Sequence, residues 1–190
     1  ESSLEDLQLI CDSYIENLMI NEELKLLGSF IEQKHDKNSD NSIKKVMGLS
    51  VNKTFRTPKS NVNKDDLKKY RVVKKKQFAY VQTTNNEKKL VVALSDFDYP
   101  IVVSSVNIVF QVKDENELLP EFLFLFFMRN EFDRFARFHS WGSARETFSW
   151  EEMCNVKIPI PKIHIQEAIV SIFYTLEARK KINQKLNETL

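Results

Sequence analysis

The 190-residue sequence predicts an α+β protein, with a mixed or antiparallel β-sheet and packed helices flanked by N- and C-terminal helices of the coiled-coil type. Two observations point there. Apolar residues recur at helical spacing near both termini, and the period shortens towards two between residues 43 and 110. The length suits one domain with an appendage rather than two domains. The expected division is a spacer-type helix over 1–22, a globular domain over 23–161 and a second spacer helix over 162–190.

In the first segment Leu4, Leu7, Cys11, Tyr14 and Leu18 fall at alternating spacings of three and four, a heptad seam too short to be stable without a partner helix. The pattern stops near Gly28, and EQKHDKNSDNS over 32–42 reads as a polar loop. Runs rich in β-branched and aromatic residues follow: Arg71-Val-Val, Phe78-Ala-Tyr-Val, Leu90-Val-Val-Ala-Leu and Ile101 through Val112. Asn85-Asn86 and Asp96 to Pro100 separate them as turns, and 65–70 reads as one helical turn. Pro120 opens a phenylalanine-rich helix that ends before Gly142. Its apolar cover nearly encircles residues 122–128, which predicts the central helix of the core.

Ser149 and Glu152 fit a capping box, and Trp150 reads as core. Next comes Ile158-Pro159-Ile160-Pro161, where alternating prolines fix an extended segment that suits neither a helix nor a central strand. It is a stiff junction. From about Ile163 a final helix carries a stripe of Ile165, Ile169, Ile172, Phe173, Leu176, Ile182, Leu186 and Leu190. At 1.5 Å per residue it reaches roughly 40 Å, more than one domain covers, so it needs a partner helix and the N-terminal heptads are one candidate. Self-association through these helices is expected.

Charge is unevenly spread. Between Lys44 and Lys89 fourteen Lys or Arg stand against Asp65, Asp66 and Glu87, giving this stretch +11 and the remainder −10 within a net charge of +1. Such separation suits a polyanion. The same stretch is rich in Asn, Gln, Ser and Thr, which donate to phosphates or read base edges. Lys53, Arg56, Lys59 and Asn61 lie where helix and strand character is weak, and Gln82, Thr83, Thr84, Asn85 and Lys88 read as an exposed hairpin tip. A second candidate loop holds Trp141, Ser143 and Arg145 beside Gly142, where Trp141 reads either as core or as contact. These twelve residues are the candidate DNA-binding set.

Catalytic signatures are missing from the sequence. Gly28, Gly48 and Gly142 supply no glycine-rich turn for a methyltransferase cofactor. Glu32-Gln33-Lys34 has the Glu-x-Lys form of some metal-dependent nucleases, but it lies in a polar loop and its only obvious upstream acid is Asp12 on the heptad helix. Cys11, Cys154, His35, His139 and His164 lack metal-ligand spacing, so no metal, cofactor or disulfide is expected. No apolar run is long enough to span a membrane and the first residues are acidic, so a soluble, cytoplasmic chain is expected.

With these residues in place the chain resembles one half of the DNA-specificity subunit of type I restriction-modification enzymes. The resemblance runs over about 24–190 through Phe78-Ala-Tyr, Ile101-Val-Val-Ser-Ser, Val109-Phe-Gln-Val, Leu119-Pro-Glu-Phe-Leu, Gly142-Ser-Ala-Arg, Ser149-Trp-Glu-Glu-Met and Val156-Lys-Ile-Pro-Ile-Pro, with Gln166 leading into the last helix. Residues 4–19 are similar to the tail of a preceding spacer helix. The resemblance implies a target-recognition domain on a spacer, a non-catalytic role that reads half of a split double-stranded DNA target, docking on methyltransferase subunits and, through them, restriction subunits. Methylation and cleavage would then belong to those partners. Family members usually carry two recognition domains and two spacers, so the resemblance implies a fragment, the second half of a split protein, or a half-subunit that dimerises. Lys162 stands where a further proline is common, and Val81 where asparagine often follows Phe-x-Tyr. No list of base contacts transfers, because these domains differ in their loops. Two other readings stay open: the recognition domain of a fused methyltransferase or endonuclease, and a helical protein-assembly module.

Overall fold

The structure, a computed structural model, describes residues 2–58, 62, 67–83, 89–140 and 146–188. Helix α1 (Ser2–Asn21) leads into a short strand β1 (Leu24–Leu26), a 3-10 turn over Leu27–Ser29 and strand β2 (Ile31–Lys34). Strands β3 (Gly48–Leu49) and β4 (Phe55–Arg56) form a small hairpin, followed by β5 (Arg71–Val73), β6 (Phe78–Tyr80), β7 (Val92–Leu94), β8 (Ile101–Val103) and β9 (Ile108–Val112). Then come α2 (Pro120–Met128), α3 (Asn130–Phe138), α4 (Trp150–Asn155), β10 (Lys157–Pro159) and the long α5 (Ile163–Glu188). The mixture is α+β, and all the strand pairs among the described residues are antiparallel.

The main sheet has the order β2-β9-β6-β7. Alternation along its strands sorts residues into two layers. Phe78, Tyr80, Val92, Phe110 and Val112 face the helices, where they meet Ile15 of α1, the phenylalanines of α2, Met153 of α4, and Ile169 and Phe173 of α5. Ala79, Val91, Ala93 and Val109 point to the other side, against Leu49, Val73, Ile101 and Val103 of the smaller strand pairs. The order large, small, large in Phe78-Ala79-Tyr80 therefore records a deep layer on one face and a thin one on the other. Phe78 stacks on Phe110 with centroids 4.8 Å apart, and Phe127 of α2 meets Phe78 edge-on at 5.7 Å, contacts that add about 0.5–1.5 kcal/mol each beyond burial.

Helix α2 is the central helix: Phe122, Leu123, Leu125, Phe126 and Phe127 are buried. It does not continue to Phe138 as the sequence suggests. Arg129 is extended (φ −67°, ψ 142°) and starts α3 as its N-cap. Neither proline nor glycine causes the break. Arg129 is 5% exposed and faces Asp12 at 3.8 Å and Glu131 at 3.6 Å, and the turn there directs Phe132 and Ala136 of α3 into the core. Burial decides the geometry, overriding local helix propensity.

Three further expectations change. Glu32 to Lys34 form strand β2 rather than a loop, because Ile31 is buried and the backbone pairs with Val109 to Val112 of β9. The run from Ile101 to Val112 is two strands, closed by a turn in which Asn107 N donates to Ser104 O at 3.0 Å. The β3–β4 hairpin lies where little strand character is evident. Of the helical turn expected over 65–70, residues 65 and 66 lie outside the described set, while Leu67 to Tyr70 form a turn with Tyr70 N bonded to Leu67 O.

The proline-rich junction is an edge strand. Leu24, Lys25 and Leu26 of β1 lie opposite Pro159, Ile158 and Lys157 of β10, a position that tolerates a residue with no donor. Because β1 follows α1 and β10 precedes α5, antiparallel pairing sets the two helices side by side in opposite chain directions, and they pack on one another. Gln166, fully buried, locks the start of α5. Its Oε1 accepts from Leu119 N at 2.9 Å, and its Nε2 donates to the carbonyls of Glu117 and Pro161, both at 2.8 Å. Leu119 is the N-cap of α2 and offers no side-chain cap of its own, so a residue of α5 satisfies that helix end instead.

Candidate nucleic-acid interface

The two loops singled out by sequence meet at one end of the main sheet. Beyond β6, Gln82 O accepts a hydrogen bond from Phe148 N at 2.8 Å, and Thr83 is bridged to Thr147 in antiparallel fashion. Phe148, fully buried, packs between Phe132 and Phe135 and holds this junction on the core. Beneath it Tyr80 is buried, its hydroxyl without a hydrogen-bond partner among the described residues, and desolvation pushes its pKa above the ordinary tyrosine range. Gln82 and Thr83 are half-buried at the rim. Thr84, Asn85, Lys88, Trp141, Ser143 and Arg145 lie outside the described residues, as do Lys59 and Asn61. The described flanks of the segments that carry Thr84 and Arg145 are nevertheless brought together.

Lys53 is a correction to the candidate set. It is 5% exposed, and its Nζ donates to Asp133 Oδ1 at 2.8 Å and to the carbonyl of Phe127. Burial lowers its pKa, and the Asp133 carboxylate opposes that shift. A lysine whose donors are spent inside the protein is not a phosphate contact. The reason is a partner eighty residues along the chain, invisible to local polarity. Arg56 is half-buried, and its guanidinium folds back on its own hairpin, Nε donating to Leu49 O at 3.0 Å and a terminal nitrogen to Thr57 O at 3.1 Å.

Among the described residues the cationic stretch does not gather on one front either. Lys74, Lys75 and Lys76 occupy the turn before β6, at the opposite end of that strand from Gln82 and Thr83. Each pairs with a carboxylate: Lys74 with Asp36 at 3.0 Å, Lys75 with Asp98 at 2.5 Å, and Lys76 with Glu115. Exposed pairs of this kind contribute little to stability, but they neutralise the charge locally. Lys45, Lys68 and Lys69 are exposed on the outer layer, beside the small cluster of Val46, Leu67, Val72 and Val102.

Sequence reasoning missed two surface groups at the end of α3. Arg137 is exposed and Phe138 is 82% exposed, immediately before the second candidate loop. Helical period was the available signal: with Phe132 and Ala136 turned inward, Phe138 falls on the outer side. The Glu-x-Lys tripeptide is structurally occupied. Glu32 accepts from Lys34 at 3.0 Å and from Gln111 at 2.9 Å, and Lys34 holds its carboxyl below the usual range. Among the described residues, no group of three or more His, Cys, Asp or Glu could hold a metal ion. No helix of the described chain is long and apolar enough to cross a membrane.

The fold is shared with solved structures. It is similar to the type-I restriction-modification system S subunit from M. genitalium, with 13% identity and a TM-score of 0.55, over 98% of this chain and 51% of that one. It is also similar to the HsdS subunit from Thermoanaerobacter tengcongensis, with 12% identity and a TM-score of 0.56, over 96% and 46%. A chain from a structure on the complex assembly and conformational transition of the type I R-M system matches with 11% identity and a TM-score of 0.58, over 97% and 48%. The chain thus spans about half the length of the solved chains it matches. No curated protein matches it. The family described as type I restriction modification DNA specificity domain matches residues 40–190, taking in strands β6, β7 and β9 of the main sheet, the segments joined at Thr83 and Thr147, and the final helix. A match over that much of the chain, on a fold common to S subunits, means that the protein belongs to this family of DNA-recognition domains.

Proposed function

We propose that this chain reads one half of a split duplex target as a non-catalytic specificity subunit or half-subunit, while partner methyltransferase subunits carry the chemistry. The observation that supports the reading best is the joining of the two candidate loops through Thr83 and Thr147. Gln82 and Thr83 on one side and Thr147 on the other are the described part of this surface, while Thr84, Asn85, Lys88, Trp141, Ser143 and Arg145 are proposed as contacts from their chemistry and their place in the sequence. Lys59 and Asn61 are further candidates by residue type, and Arg56 is a candidate on the β3–β4 hairpin. No cofactor of its own is required, and the setting is the cytoplasm, where its substrate DNA lies.

The paired helices α1 and α5 are the docking element in this reading. Leu9, Ile10, Tyr14, Ile172 and Ile182 remain 40% or more exposed on them, which favours a partner helix from a methyltransferase subunit or a second copy. Restriction subunits join through the methyltransferase. A two-fold dimer would read a palindrome with a gap.

The test is binding to a duplex enriched from a random-sequence library, measured across salt concentrations. Log affinity should fall with log salt at about −0.9 per phosphate contacted. Arg145→Ala should lose about 1–3 kcal/mol of preference for the enriched duplex over random sequence. Equal weakening on both duplexes would make Arg145 a phosphate contact, and a wild-type chain with no preference would refute the reading.

A further inference from the structure

The buried ion pair between Lys53 and Asp133 joins three parts of the chain: the β3–β4 hairpin, helix α3 and the backbone at Leu90. Asp133 sits on α3 with 7% exposure, and its Oδ1 accepts from Lys53 Nζ at 2.8 Å and from Leu90 N at 3.1 Å. Lys53 comes from the tip of the β3–β4 hairpin. That tip is closed by Ser50 N to Thr54 O and Lys53 N to Ser50 O, both at 2.9 Å, with Lys53 in the left-handed region at φ 59°. From there its ammonium reaches inward over the ring of Phe132, 5.8 Å from the centroid. Phe132 in turn packs edge-on against Phe148, whose amide holds Gln82.

Each element at this carboxylate leads to a candidate contact segment. In chain order the hairpin precedes Lys59 and Asn61, Leu90 follows Thr84, Asn85 and Lys88, and α3 precedes Trp141, Ser143 and Arg145. A buried ion pair is a weak source of net stability, since a well-packed apolar pair serves as well or better. Its directional hydrogen bonds, by contrast, admit one arrangement of the groups that make them. Resting on the reading above, we infer that Lys53 and Asp133 are positioning residues for sequence recognition: the pair fixes the hairpin, Leu90 and α3, the described neighbours of three candidate contact segments, relative to one another. Asp133 does so by holding Leu90, and Lys53 by tying the hairpin to the break between α2 and α3.

The experiment compares the wild-type chain with the double variant Lys53→Met/Asp133→Leu, which keeps the site filled but removes both the pair and the acceptor for Leu90 N. Each protein is titrated with the duplex enriched by wild type and with a scrambled duplex of equal length. In the double variant, the ratio of the two affinities should fall about tenfold or more. The conservative variant Asp133→Asn, whose amide oxygen can still accept from Leu90 N, should keep the ratio within about threefold of wild type. Preservation of the wild-type ratio in the folded double variant overturns the inference while leaving DNA reading intact, whereas a wild type without preference overturns both. If the double variant does not fold, hydrogen exchange decides on the wild-type protein. A protected Leu90 amide that loses protection in Asp133→Ala supports the anchor, and a Leu90 amide that exchanges freely in wild type overturns it.

Discussion

Replacing Gln166 with leucine removes three hydrogen bonds from a fully buried side chain while nearly conserving its volume. Leu119 N loses its acceptor, and the carbonyls of Glu117 and Pro161 lose their donor. A net contribution of about 0.5–1.5 kcal/mol per neutral bond gives a total near 1.5–4.5 kcal/mol. Glu117 is exposed and Leu119 half-buried, so partial access of water lowers the upper end and leaves about 1.5–4 kcal/mol. Urea unfolding should show the unfolding free energy falling by that amount, through a lower midpoint with the slope unchanged, and the melting temperature should drop by about 3–15 °C. Gln166→Glu adds a signature in pH. The ionised carboxylate can still accept from Leu119 N but cannot donate to either carbonyl, so burial raises its folded pKa. The deficit of this variant should therefore be smallest below about pH 4 and grow as pH rises through the folded pKa. A Gln166→Leu protein within about 0.5 kcal/mol of wild type would refute the claim that this side chain holds α5 to the domain.

Two other perturbations test the packing. Gly28→Ala would place a Cβ 2.7 Å from Cys154 Cβ and 3.2 Å from its backbone, so a loss of about 1–3 kcal/mol is expected by thermal denaturation. Adding Cys154→Ser should not rescue it, because the obstruction is the β-carbon and not the sulfur. On α5, burial and the carboxylates of Glu121, Glu177 and Asp96 push the Tyr174 phenol up to about 12. The unfolded phenol ionises from about pH 10, so the unfolded chain gains and stability falls between pH 10 and 12. Urea midpoints at pH 9 and 11 should converge more in Tyr174→Phe than in wild type, and equal falls would contradict the assignment.

Much of the fold is written in local patterns. Phe78-Ala79-Tyr80 and Val109-Phe110 alternate because a sheet buried on both faces admits only that order, and Pro120 and the Pro159 pair act through fixed φ angles that need no tertiary context. Ser149, whose hydroxyl accepts from Glu152 N at 3.1 Å, is legible for the same reason. What escaped reading depends on residues far apart in sequence. Arg129 breaks a helix through its burial beside Asp12, Lys53 leaves the surface to meet Asp133, and polar Glu32 enters a strand because β9 offers an open edge. The lysines at 74–76 count as positive charge in a sum, yet in space each sits against a carboxylate that the sum assigns to another part of the chain. For the candidate interface, residue type and loop position were readable in the sequence, while the meeting of the loops at Thr83 and Thr147 was not.

The short ribbon of β1 with β10 brings the two ends of the globular part within one strand spacing of each other. Everything between Leu27 and Val156 is thus a closed excursion from a fixed doorway. Its loops can lengthen, shorten or change chemistry without altering how the flanking helices meet. Such a build lets the loop chemistry be revised while the paired helices keep their spacing.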